Sequence, residues 1–478
     1  MRTIPDLCRP AFLCVLAIVA TASAQQLPPS TKIEEIYKLT CSACHGVNFE
    51  GGLGGSLVDG VWKYGGSDAE IAHSIAKGKP ELGMVPWESV LTPEQIRAMV
   101  VFLRERERQE KNRTVTLPKP EPGKTTTTKR HSYRVETVTD GLRNPWGLAF
   151  LPDGRMLVTE KSGPLRIAQK DGTLNPEPVA GTPAVVEHGQ GGMMDVALHP
   201  DYAKNGWIYL AFADGWWDAE KRPHTLTAVV RGRIKDNCWV DQEWIYKADP
   251  KFYTGAGAHF GSRIVFDQGF LYFVVGERGG RMEAQDVKRP NGKIFRLNDD
   301  GSVPADNPFV NTDGAEKGIW SYGHRNPQGL ALDPRTHSLY ATEHGPRGGD
   351  EFNIILKGRN YGWPVITYGM DYNGTAITPY TAKEGMEQPL TYWVPSIATC
   401  GLAYYDGGKF PEWRHDFFAG GLGGQEVDRI RVADGKVVEQ EVVVKGIGRI
   451  RNVVNGPDGF LYLITNGPDR IVRLVPAE

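Results

Sequence analysis

The sequence predicts a multidomain protein in which a small all-α domain is followed by an all-β domain, a six-bladed β-propeller. First, apolar residues recur at helical spacing up to about residue 112 and at strand spacing from His131 onward. Second, an apolar triplet, a turn and a second strand recur through the C-terminal part. Third, a stretch rich in Pro, Thr and Lys, residues 113–130, separates the two patterns and is typical of an extended linker.

The N-terminus has the pattern of a secretory signal peptide. Arg2 and Arg9 precede a short apolar run, and Ala22-Ser23-Ala24 forms a small-residue cleavage site. The run is too short to cross a bilayer, and no later stretch reaches the roughly 18 apolar residues that a membrane span needs. We therefore expect residues 1–24 to be removed near Ala24 and the mature chain to have no membrane span.

Composition narrows the class of protein further. The net charge is −2 with Lys and Arg dispersed along the chain, so the sequence does not indicate binding to nucleic acid or to a membrane surface. Two of the six cysteines lie in the expected signal peptide and two in a motif described next. The remaining pair, Cys238 and Cys400, is too few for a disulfide scaffold, and whether they bond to each other stays open.

In the first domain, residues 25–112, the C-x-x-C-H run Cys41–His45 predicts covalent attachment of haem c through Cys41 and Cys44, with His45 as the proximal iron ligand. A structural zinc site would need a second ligand pair, and none follows. A thioredoxin-like redox pair would need a βαβ context. The thioether of Met84, in a loop with Gly and Pro, is the expected sixth ligand, and His73 is the alternative.

The first domain resembles a small class I bacterial cytochrome c, with a helix, C-x-x-C-H-G, a methionine loop and a C-terminal helix in that order. The last helix is predicted over Thr92 to Gln109, with Thr92 or its neighbour as N-cap and Glu94 in the first turn. Haem c attachment in an exported bacterial chain implies a periplasmic location.

Six apolar triplets define the large domain, residues 131–478. Their starts lie roughly 50–70 residues apart, and a four-stranded blade needs roughly 40–50, with the excess in loops. One blade cannot bury its own faces, but six blades around an axis can. A β-sandwich array is the alternative, although it would not repeat one hairpin in every unit. Ring closure is expected to pair Tyr133–Val138 with Ile471–Leu474. The triplets begin at Leu148, Val196, Ile264, Leu330, Leu402 and Val453.

Polar residues and glycines gather in loops that precede or follow the repeat strands. Because such loops fall at equivalent places in successive blades, we expect their side chains to converge on one ligand. Arg449 and Arg451 are two residues apart on one strand, which predicts that they share a face and suit carboxylates. The loops are Glu187–Gly192, Gly257–Arg263, Tyr322–Pro327, His344–Glu351 and Gly448–Asn452.

These segments as a set resemble the soluble glucose and aldose sugar dehydrogenases that depend on pyrroloquinoline quinone (PQQ). The resemblance covers nearly the whole large domain, and the set is specific, whereas the Pro-Asp-Gly turns alone are not. Its segments are N-P-W-G-L-A-F-L-P-D-G-R (144–155), G-Q-G-G-M-M-D-V-A-L-H-P-D-Y (189–202), H-F-G-S-R (259–263), Y-G-H-R-N-P-Q-G-L (322–330) and N-Y-G-W-P (360–364).

The resemblance implies roles for individual residues. His259 would be the general base on the anomeric hydroxyl of an aldose while a hydride passes from that carbon to the quinone. Arg325 would stabilise the negative charge that arises on the quinone oxygen. The residues implied to contact cofactor or substrate are Gln190 and Asn326, which orient them, and Arg449 and Arg451, which hold the cofactor carboxylates.

The resemblance also implies Ca²⁺. The backbone carbonyls of Gly345 and Pro346 would hold one ion that polarises the quinone, and Asp350 lines the same loop. Glu351, with the carbonyl of Tyr361, resembles a second, structural Ca²⁺ site.

Three positions depart from the family pattern. Gly423 stands where a lysine that contacts the cofactor is usual, and the loss of that charged hydrogen bond should weaken PQQ binding by about 1–3 kcal/mol. Thr399-Cys400 stands where Pro-Ser is usual, and Glu277 replaces a more common Asp. These changes predict an altered site, and three outcomes stay open: a different substrate, a weaker hold on the cofactor, or the loss of PQQ.

Together the two domains predict a periplasmic quinohaemoprotein that oxidises an aldose at C1 to its lactone. Electrons would pass from PQQ to haem c and on to a periplasmic redox protein, with the linker raising the effective concentration of the two centres without a rigid interface. Two alternatives stay open. One is a lactonase-like propeller hydrolase, and the other is a non-catalytic sugar-binding propeller tethered to an electron-carrier cytochrome.

Overall fold

The computed structural model describes residues 26–114 and 117–477, so the expected signal peptide and its cleavage point near Ala24 lie outside the described residues. The small domain contains α1 (Ile33–Thr40), α2 (Ser42–His45), α3 (Asp68–Lys77) and α4 (Pro93–Thr114), and α5 (Tyr202–Asn205) lies in the large domain. Short 3₁₀ turns occur at Pro80–Leu82, Pro250–Phe252, Arg281–Gln285 and Pro411–Trp413.

The small domain is built where α1 and α3 meet α4. Apolar residues at helical spacing, including Ile36 on α1, Ile75 on α3 and Phe102 on α4, form one buried core. The predicted N-cap of the last helix is confirmed, since the hydroxyl of Thr92 accepts from the backbone N–H of Gln95 at 3.3 Å and the Gln95 side chain accepts from that of Thr92 at 2.9 Å.

The large domain consists of six antiparallel sheets. The first contains β3 (Pro145–Phe150), β4 (Met156–Glu160) and β5 (Leu165–Ala168), and the second β6 (Met193–Leu198), β7 (Ile208–Trp217), β8 (Pro223–Lys235) and β9 (Cys238–Tyr246). The third contains β10 (Gly261–Asp267), β11 (Phe270–Val275), β12 (Lys293–Asn298) and β13 (Ile319–Tyr322), and the fourth β14 (Pro327–Asp333), β15 (Ser338–Glu343), β16 (Asp350–Ile355) and β17 (Thr391–Trp393). The fifth contains β18 (Thr399–Tyr404), β19 (Phe417–Gly421), β20 (Glu426–Ala433) and β21 (Lys436–Lys445), and the sixth β22 (Arg449–Asn455), β23 (Leu461–Asn466) and β24 (Arg470–Pro476), joined by β2 (Ser132–Thr139) and β1 (Thr126–Thr127).

The six sheets are the blades of a propeller. Strands β3, β6, β10, β14, β18 and β22 contact one another in that order, and β22 returns to β3, so each is the inner strand of its blade. Each of these strands carries one of the six predicted triplets. The predicted six-bladed propeller, preceded by a helical domain, is therefore confirmed.

The ring is closed by pairing the beginning of the large domain with its end. Strand β2 lies antiparallel to β24, with Tyr133 opposite Pro476 and Val135 opposite Leu474, which confirms the predicted closure. The hydroxyl of the fully buried Tyr133 donates to the carbonyl of Val443 in the neighbouring blade at 2.5 Å. The ends of the large domain are thereby held in one sheet.

The predicted linker, 113–130, is structured at both ends. Helix α4 continues to Thr114, past the predicted end at Gln109, and Thr126–Thr127 pairs with the closing strand β2. The expectation that the domains lack a fixed interface is wrong, because α1 and α4 contact loops of the fourth blade, as described below. These contacts join residues more than 240 positions apart, which no local pattern reveals.

Two further observations concern membrane spans and disulfides in the described residues. None of their helices combines the length and the apolar character that a bilayer crossing requires. Cys238 is exposed and Cys400 is buried, and both are free thiols, so the pairing left open by the sequence does not occur.

The guanidinium of Arg263 contacts the inner strand of every other blade. Arg263 lies on β10, forms a buried ion pair with Asp195 of β6 at 3.0 Å, and lies 4.0 Å from the ring of Trp146 of β3. It donates to the carbonyls of Gln328 on β14 and Arg451 on β22 at 2.8 and 2.7 Å, and to the sulfur of Cys400 on β18 at 3.8 Å. A group that contacts all the inner strands lies on the propeller axis.

Replacing the axial arginine, Arg263→Met, should lower the free energy of unfolding by about 3–5 kcal/mol, because the buried Asp195 carboxylate loses its partner. The change is measured from the urea midpoint by tryptophan fluorescence. Arg155→Met is the control. Arg155 is partly exposed and pairs only with the nearby Asp153, so its loss should cost about 0–1 kcal/mol. The double variant with Asp195→Leu should recover part of the loss. Equal midpoints for Arg263→Met and the control would contradict the axial role.

Candidate active site and haem-binding crevice

His259 lies in the loop before β10, at the mouth of the axis. Its backbone N–H donates to the side-chain oxygen of Gln190 at 2.8 Å, and its φ of +58° lies in the left-handed region. A Cβ on Gly276 would lie 2.1 Å from the His259 carbonyl oxygen, so a glycine is needed there. The predicted pair His259 and Gln190 is thus brought together by a tight loop contact.

A carboxylate orients the His259 ring. Nδ1 of His259 hydrogen-bonds to Oε1 of the buried Glu277, which follows β11. Because the carboxylate accepts, Nδ1 carries the proton and Nε2 keeps a free lone pair. Burial lowers the pKa of His259, the Glu277 hydrogen bond opposes this, and the charge of Arg325 lowers it further. The ring is therefore neutral near pH 7, as a base requires.

Arg278 fixes the same loop, and the sequence did not single it out. This buried residue donates to the carbonyls of Ala256 and Ala258 and to the hydroxyl of Thr225, the last at 2.9 Å. Its guanidinium lies 3.3 Å from the centre of the Phe260 ring, and burial lowers its pKa to about 9. In the sequence, the signal that could have identified Arg278 is its position directly after Glu277.

Arg325 and His344 are close enough to His259 to affect its charge or be affected by it. The guanidinium of Arg325 donates to the carbonyls of His344 and Gly345 at 3.1 and 2.7 Å. Burial, together with the charges of Arg325, His259 and Arg451, lowers the pKa of His344 to about 3. The predicted residues His259, Arg325 and Arg451 therefore share one electropositive centre, with His344 as an addition that the sequence did not assign.

Several buried polar atoms around this centre have no hydrogen-bond partner among the described residues. They are Nε of Arg325, Nδ2 of Asn326, Nε2 of His344 and Oε2 of Glu277. The carbonyl oxygen of the Asn326 side chain is used, accepting from the N–H of Gly261 at 3.0 Å. Unpaired buried polar atoms cost about 1–3 kcal/mol each. Nε of Arg325 and Nδ2 of Asn326 are donors and Oε2 of Glu277 is an acceptor, so the set fits a polar ligand that has both acceptor and donor atoms.

The two arginines of β22 differ in setting. A bulge between Ile450 and Asn452 interrupts the strict alternation on which the prediction of a shared face depended. The Arg451 guanidinium turns toward the axis, 3.2 Å from Asn466 and 3.4 Å from Gln328, and burial lowers its pKa. Arg449 is exposed, and within the described residues its guanidinium forms no hydrogen bond or ion pair, so it can bind an anionic ligand.

The loop between β15 and β16 contains the implied carbonyl ligands. The Gly345 oxygen accepts from Arg325, and the Pro346 oxygen accepts from the Ser396 hydroxyl at 3.1 Å, which leaves each one lone pair. Asp350 accepts from the N–H groups of Gly345 and Thr399 and from Ser396 at 2.8–3.1 Å, and burial raises its pKa to about 6. The hydrogen bonds of Asp350 therefore fix the shape of the loop. The Gly345 and Pro346 carbonyls could supply two of the roughly six to eight oxygen ligands that Ca²⁺ takes.

The second implied metal site has two acidic side chains. Glu351 lies directly opposite Glu343 on the adjacent strand, and burial and the Glu343 carboxylate raise the pKa of Glu351. His324, which stacks on Tyr361 at 4.5 Å, lies 3.6 Å from Glu343. A cation would relieve the repulsion between the Glu343 and Glu351 carboxylates. Within the described residues, no group of three His, Cys, Asp or Glu side chains is placed to hold a metal ion.

The C-x-x-C-H run of the small domain has two free thiols and one free imidazole nitrogen. Cys41 and Cys44 are free thiols, and Nδ1 of His45 lies 2.8 Å from the carbonyl oxygen of Gly55. Because a carbonyl only accepts, Nδ1 carries the proton and Nε2 is left as a ligand. A Cβ on Gly54 would lie 2.6 Å from Cε1 of His45, so the glycine leaves room for the ring.

The two candidates for the sixth iron ligand differ in burial. Met84 is half-buried in a loop fixed by two backbone hydrogen bonds with Lys79 at 2.8 and 3.1 Å, whereas the alternative ligand His73 is exposed on α3. Seven large apolar side chains of the small domain are exposed, and exposed apolar surface is typical of a ligand-binding or interaction site. These are Leu39, Val47, Leu53, Val61, Tyr64, Leu82 and Val85.

Comparisons with known proteins agree with both sites. The glucose/sorbosone dehydrogenase family model matches residues 142–473, and the model for cytochrome c oxidase, cbb3-type, subunit III matches residues 28–103. The fold and site thus define a propeller oxidoreductase joined to a cytochrome c-type domain, which confirms the two predicted resemblances. The chain belongs to the glucose/sorbosone dehydrogenase family.

Individual relatives cover the large domain. An aldose sugar dehydrogenase of Escherichia coli is 44% identical over 339 residues, which span 70% of this chain and 90% of that protein. The apo crystal structure of the soluble aldose sugar dehydrogenase from Escherichia coli has a TM-score of 0.68 at 41% identity, covering 72% of this chain and 100% of that one. The PQQ-bound aldose sugar dehydrogenase of Streptomyces coelicolor has a TM-score of 0.59 at 30% identity, covering 72% and 98%.

The His259–Glu277 pair predicts a titration that is measurable without turnover. In the folded protein His259 should titrate below 6.5, and Glu277→Gln should lower its pKa further, because the carboxylate no longer stabilises the imidazolium. Histidine NMR over a pH series measures both values, with His259→Gln assigning the resonance. An unchanged or raised pKa in Glu277→Gln would contradict the pairing.

Proposed function

We propose that this protein is a periplasmic quinohaemoprotein that oxidises an aldose at C1 to the lactone, with PQQ as hydride acceptor and haem c as the electron carrier. The observation that carries the proposal is the convergence of a neutral, oriented His259 with Arg325 and Arg451 in a chain that also has a haem-binding motif. Relatives named as aldose sugar dehydrogenases, one of them PQQ-bound, support it.

The protein's own residues supply the proton chemistry. Nε2 of His259 accepts the proton of the anomeric hydroxyl, and Glu277 stabilises the resulting imidazolium. The hydride of the same carbon leaves as the C–O bond gains double-bond character, which yields a lactone. Arg325 provides a fixed positive charge beside the acceptor, where charge develops. Bound PQQ would supply the two-electron acceptor for that hydride.

The charges of the site indicate how the cofactors would be held. Arg449 and Arg451 suit the carboxylates of PQQ, and Asn326 and Gln190 suit its carbonyl oxygens or those of the sugar. Gly345 and Pro346, with their free lone pairs, would contribute to Ca²⁺ beside the quinone, and Glu351 with the Tyr361 carbonyl would contribute to a second Ca²⁺.

The Gly423 position affects the expected affinity for PQQ. A Cβ there would meet only ordinary or slightly tight contacts, at 3.3 Å from the Ile397 carbonyl oxygen, and the residue is exposed. The site therefore has space for a cation but does not provide one. We propose that PQQ binds through the arginines of β22 with reduced affinity.

The haem domain would carry the electrons onward. Cys41 and Cys44 would attach haem c, and His45 and Met84 would ligate its iron, which accepts one electron at a time. The acceptor that follows would be a periplasmic redox protein of the one-electron class.

The function is tested by an optical experiment on the haem-loaded protein. With PQQ, Ca²⁺ and an aldose all present, the haem α band should appear, and omission of any one should prevent it. Dithionite reduction is the control for a competent haem. Sugar binding without reduction would favour the non-catalytic alternative, and lactone hydrolysis without quinone would favour the hydrolase.

His259→Gln should reduce aldose turnover by about 10²–10⁴-fold, because the amide cannot accept the hydroxyl proton. PQQ binding, followed by fluorescence quenching, should change little since the cofactor arginines are intact. His337→Gln, an exposed histidine in the turn between β14 and β15, is the matched control. Unchanged turnover in His259→Gln would remove its role as the base.

A further inference from the structure

The two domains meet through a half-buried arginine that binds two glutamates, here called the arginine clamp. Arg347, in the loop between β15 and β16, binds both carboxylate oxygens of Glu105 on α4 at 2.9–3.2 Å. Its other nitrogen binds Glu34 on α1 at 2.7 Å. The Glu105 side chain is 7% exposed, so this pair is not one of the screened surface pairs that contribute little.

A second cluster of polar contacts lies beside the clamp. Asp68 of α3 pairs with Arg97 and Arg104 at 3.0 and 2.9 Å, and it accepts from the hydroxyl of Tyr392 in the fourth blade at 3.2 Å. Arg97 also donates to the Tyr368 carbonyl at 3.1 Å. These groups join helices of the small domain to strand and loop of the propeller.

Apolar and backbone contacts complete the interface. The fully buried Met370 and the partly buried Val394 of the propeller belong to the core cluster of the small domain. The N–H of Ile33 donates to the Gly374 carbonyl at 2.9 Å. A Cβ on Gly348 would lie 3.0 Å from Val101, so loop and helix are in close contact. A shared core of this kind holds two domains in one orientation.

The loop that docks the small domain also belongs to the candidate active site. Arg347 lies two residues after Gly345, whose carbonyl accepts from Arg325, and three residues before Asp350. A cleft of about 210 Å³ is lined by Glu105 of α4 on one side and by His344 and Asp350 on the other. The site therefore lies directly against the small domain.

We propose that this docked interface is the route by which electrons leave the active site for the haem, and that Arg347 is the positioning residue that holds the route in place. The inference rests on the proposed function. Each aldose oxidised gives up two electrons and two protons. A haem held by the small domain would take these electrons one at a time and would be reoxidised by the periplasmic acceptor between the two transfers, while the protons pass to solvent.

The test uses the full chain loaded with haem, PQQ and Ca²⁺. Arg347→Ala alters the propeller side of the clamp, Glu105→Gln alters the haem-domain side, and Arg359→Ala removes an exposed arginine of the same blade as control. Stopped-flow absorbance measures haem reduction by aldose, a small dye measures turnover at the propeller directly, and small-angle X-ray scattering measures whether the domains separate.

Arg347→Ala and Glu105→Gln should each slow haem reduction by about tenfold or more, because the tether alone provides only a millimolar-range effective concentration. Dye turnover should stay as in the wild type in Glu105→Gln, because Glu105 lies on α4 outside the propeller loop. The ferrous haem spectrum should stay unchanged in both variants, and the radius of gyration should increase. The swap Arg347→Glu with Glu105→Arg should restore part of the rate. Arg359→Ala should match the wild type in every measurement.

Separated domains with an unchanged rate of haem reduction would overturn the route. A loss of dye turnover as large as the loss of haem reduction would also overturn it, because Arg347 would then act inside the active site. If the wild-type protein oxidises no aldose, the proposed function fails instead, and the scattering comparison still decides whether Arg347 docks the domains.

Discussion

The buried guanidinium of Arg263 is the interaction on which the propeller depends. A charge without partners in a dry interior is strongly unfavourable, and Arg263 obtains its partners from the other five blades. It is therefore satisfied only when the ring is complete, as the pairing of β2 with β24 makes it. The same contacts place Cys400 and Arg451 at the axis, beneath the loops that form the candidate active site.

The site above the axis is electropositive and contains buried donors that have no hydrogen-bond partner among the described residues. Burial and the charge of Arg325 lower the pKa of both His259 and His344, and Arg451 lowers that of His344 further, so both imidazoles are neutral near pH 7. A neutral histidine beside fixed cations can take a proton while negative charge is stabilised nearby. Glu277 supplies the one carboxylate in contact with the His259 ring, and the longer Glu in place of Asp still reaches Nδ1.

One loop, between β15 and β16, connects the two halves of the molecule. Its carbonyls face Arg325 and its arginine side chain faces α1 and α4. A change in this loop therefore affects both the site and the docked domain, because a packed loop with satisfied hydrogen bonds has little freedom to adjust to one side alone. Because the domains have a fixed orientation, the distance between the candidate active site and the C-x-x-C-H motif is constant, whereas a flexible tether would let it vary.

The sequence alone determined the parts that local spacing encodes: the blade number, through the triplets from Leu148 to Val453, the haem motif Cys41–His45, and the loops that hold His259 and Arg325. Period-two apolar strands and a five-residue motif need no distant partner to be recognised. Only the tertiary structure decided that Arg263 lies on the axis, that Arg451 sits at a bulge, and that Arg347 binds Glu34 and Glu105. These depend on contacts between residues far apart in the chain, whose geometry is set only when the ring closes and the domains dock.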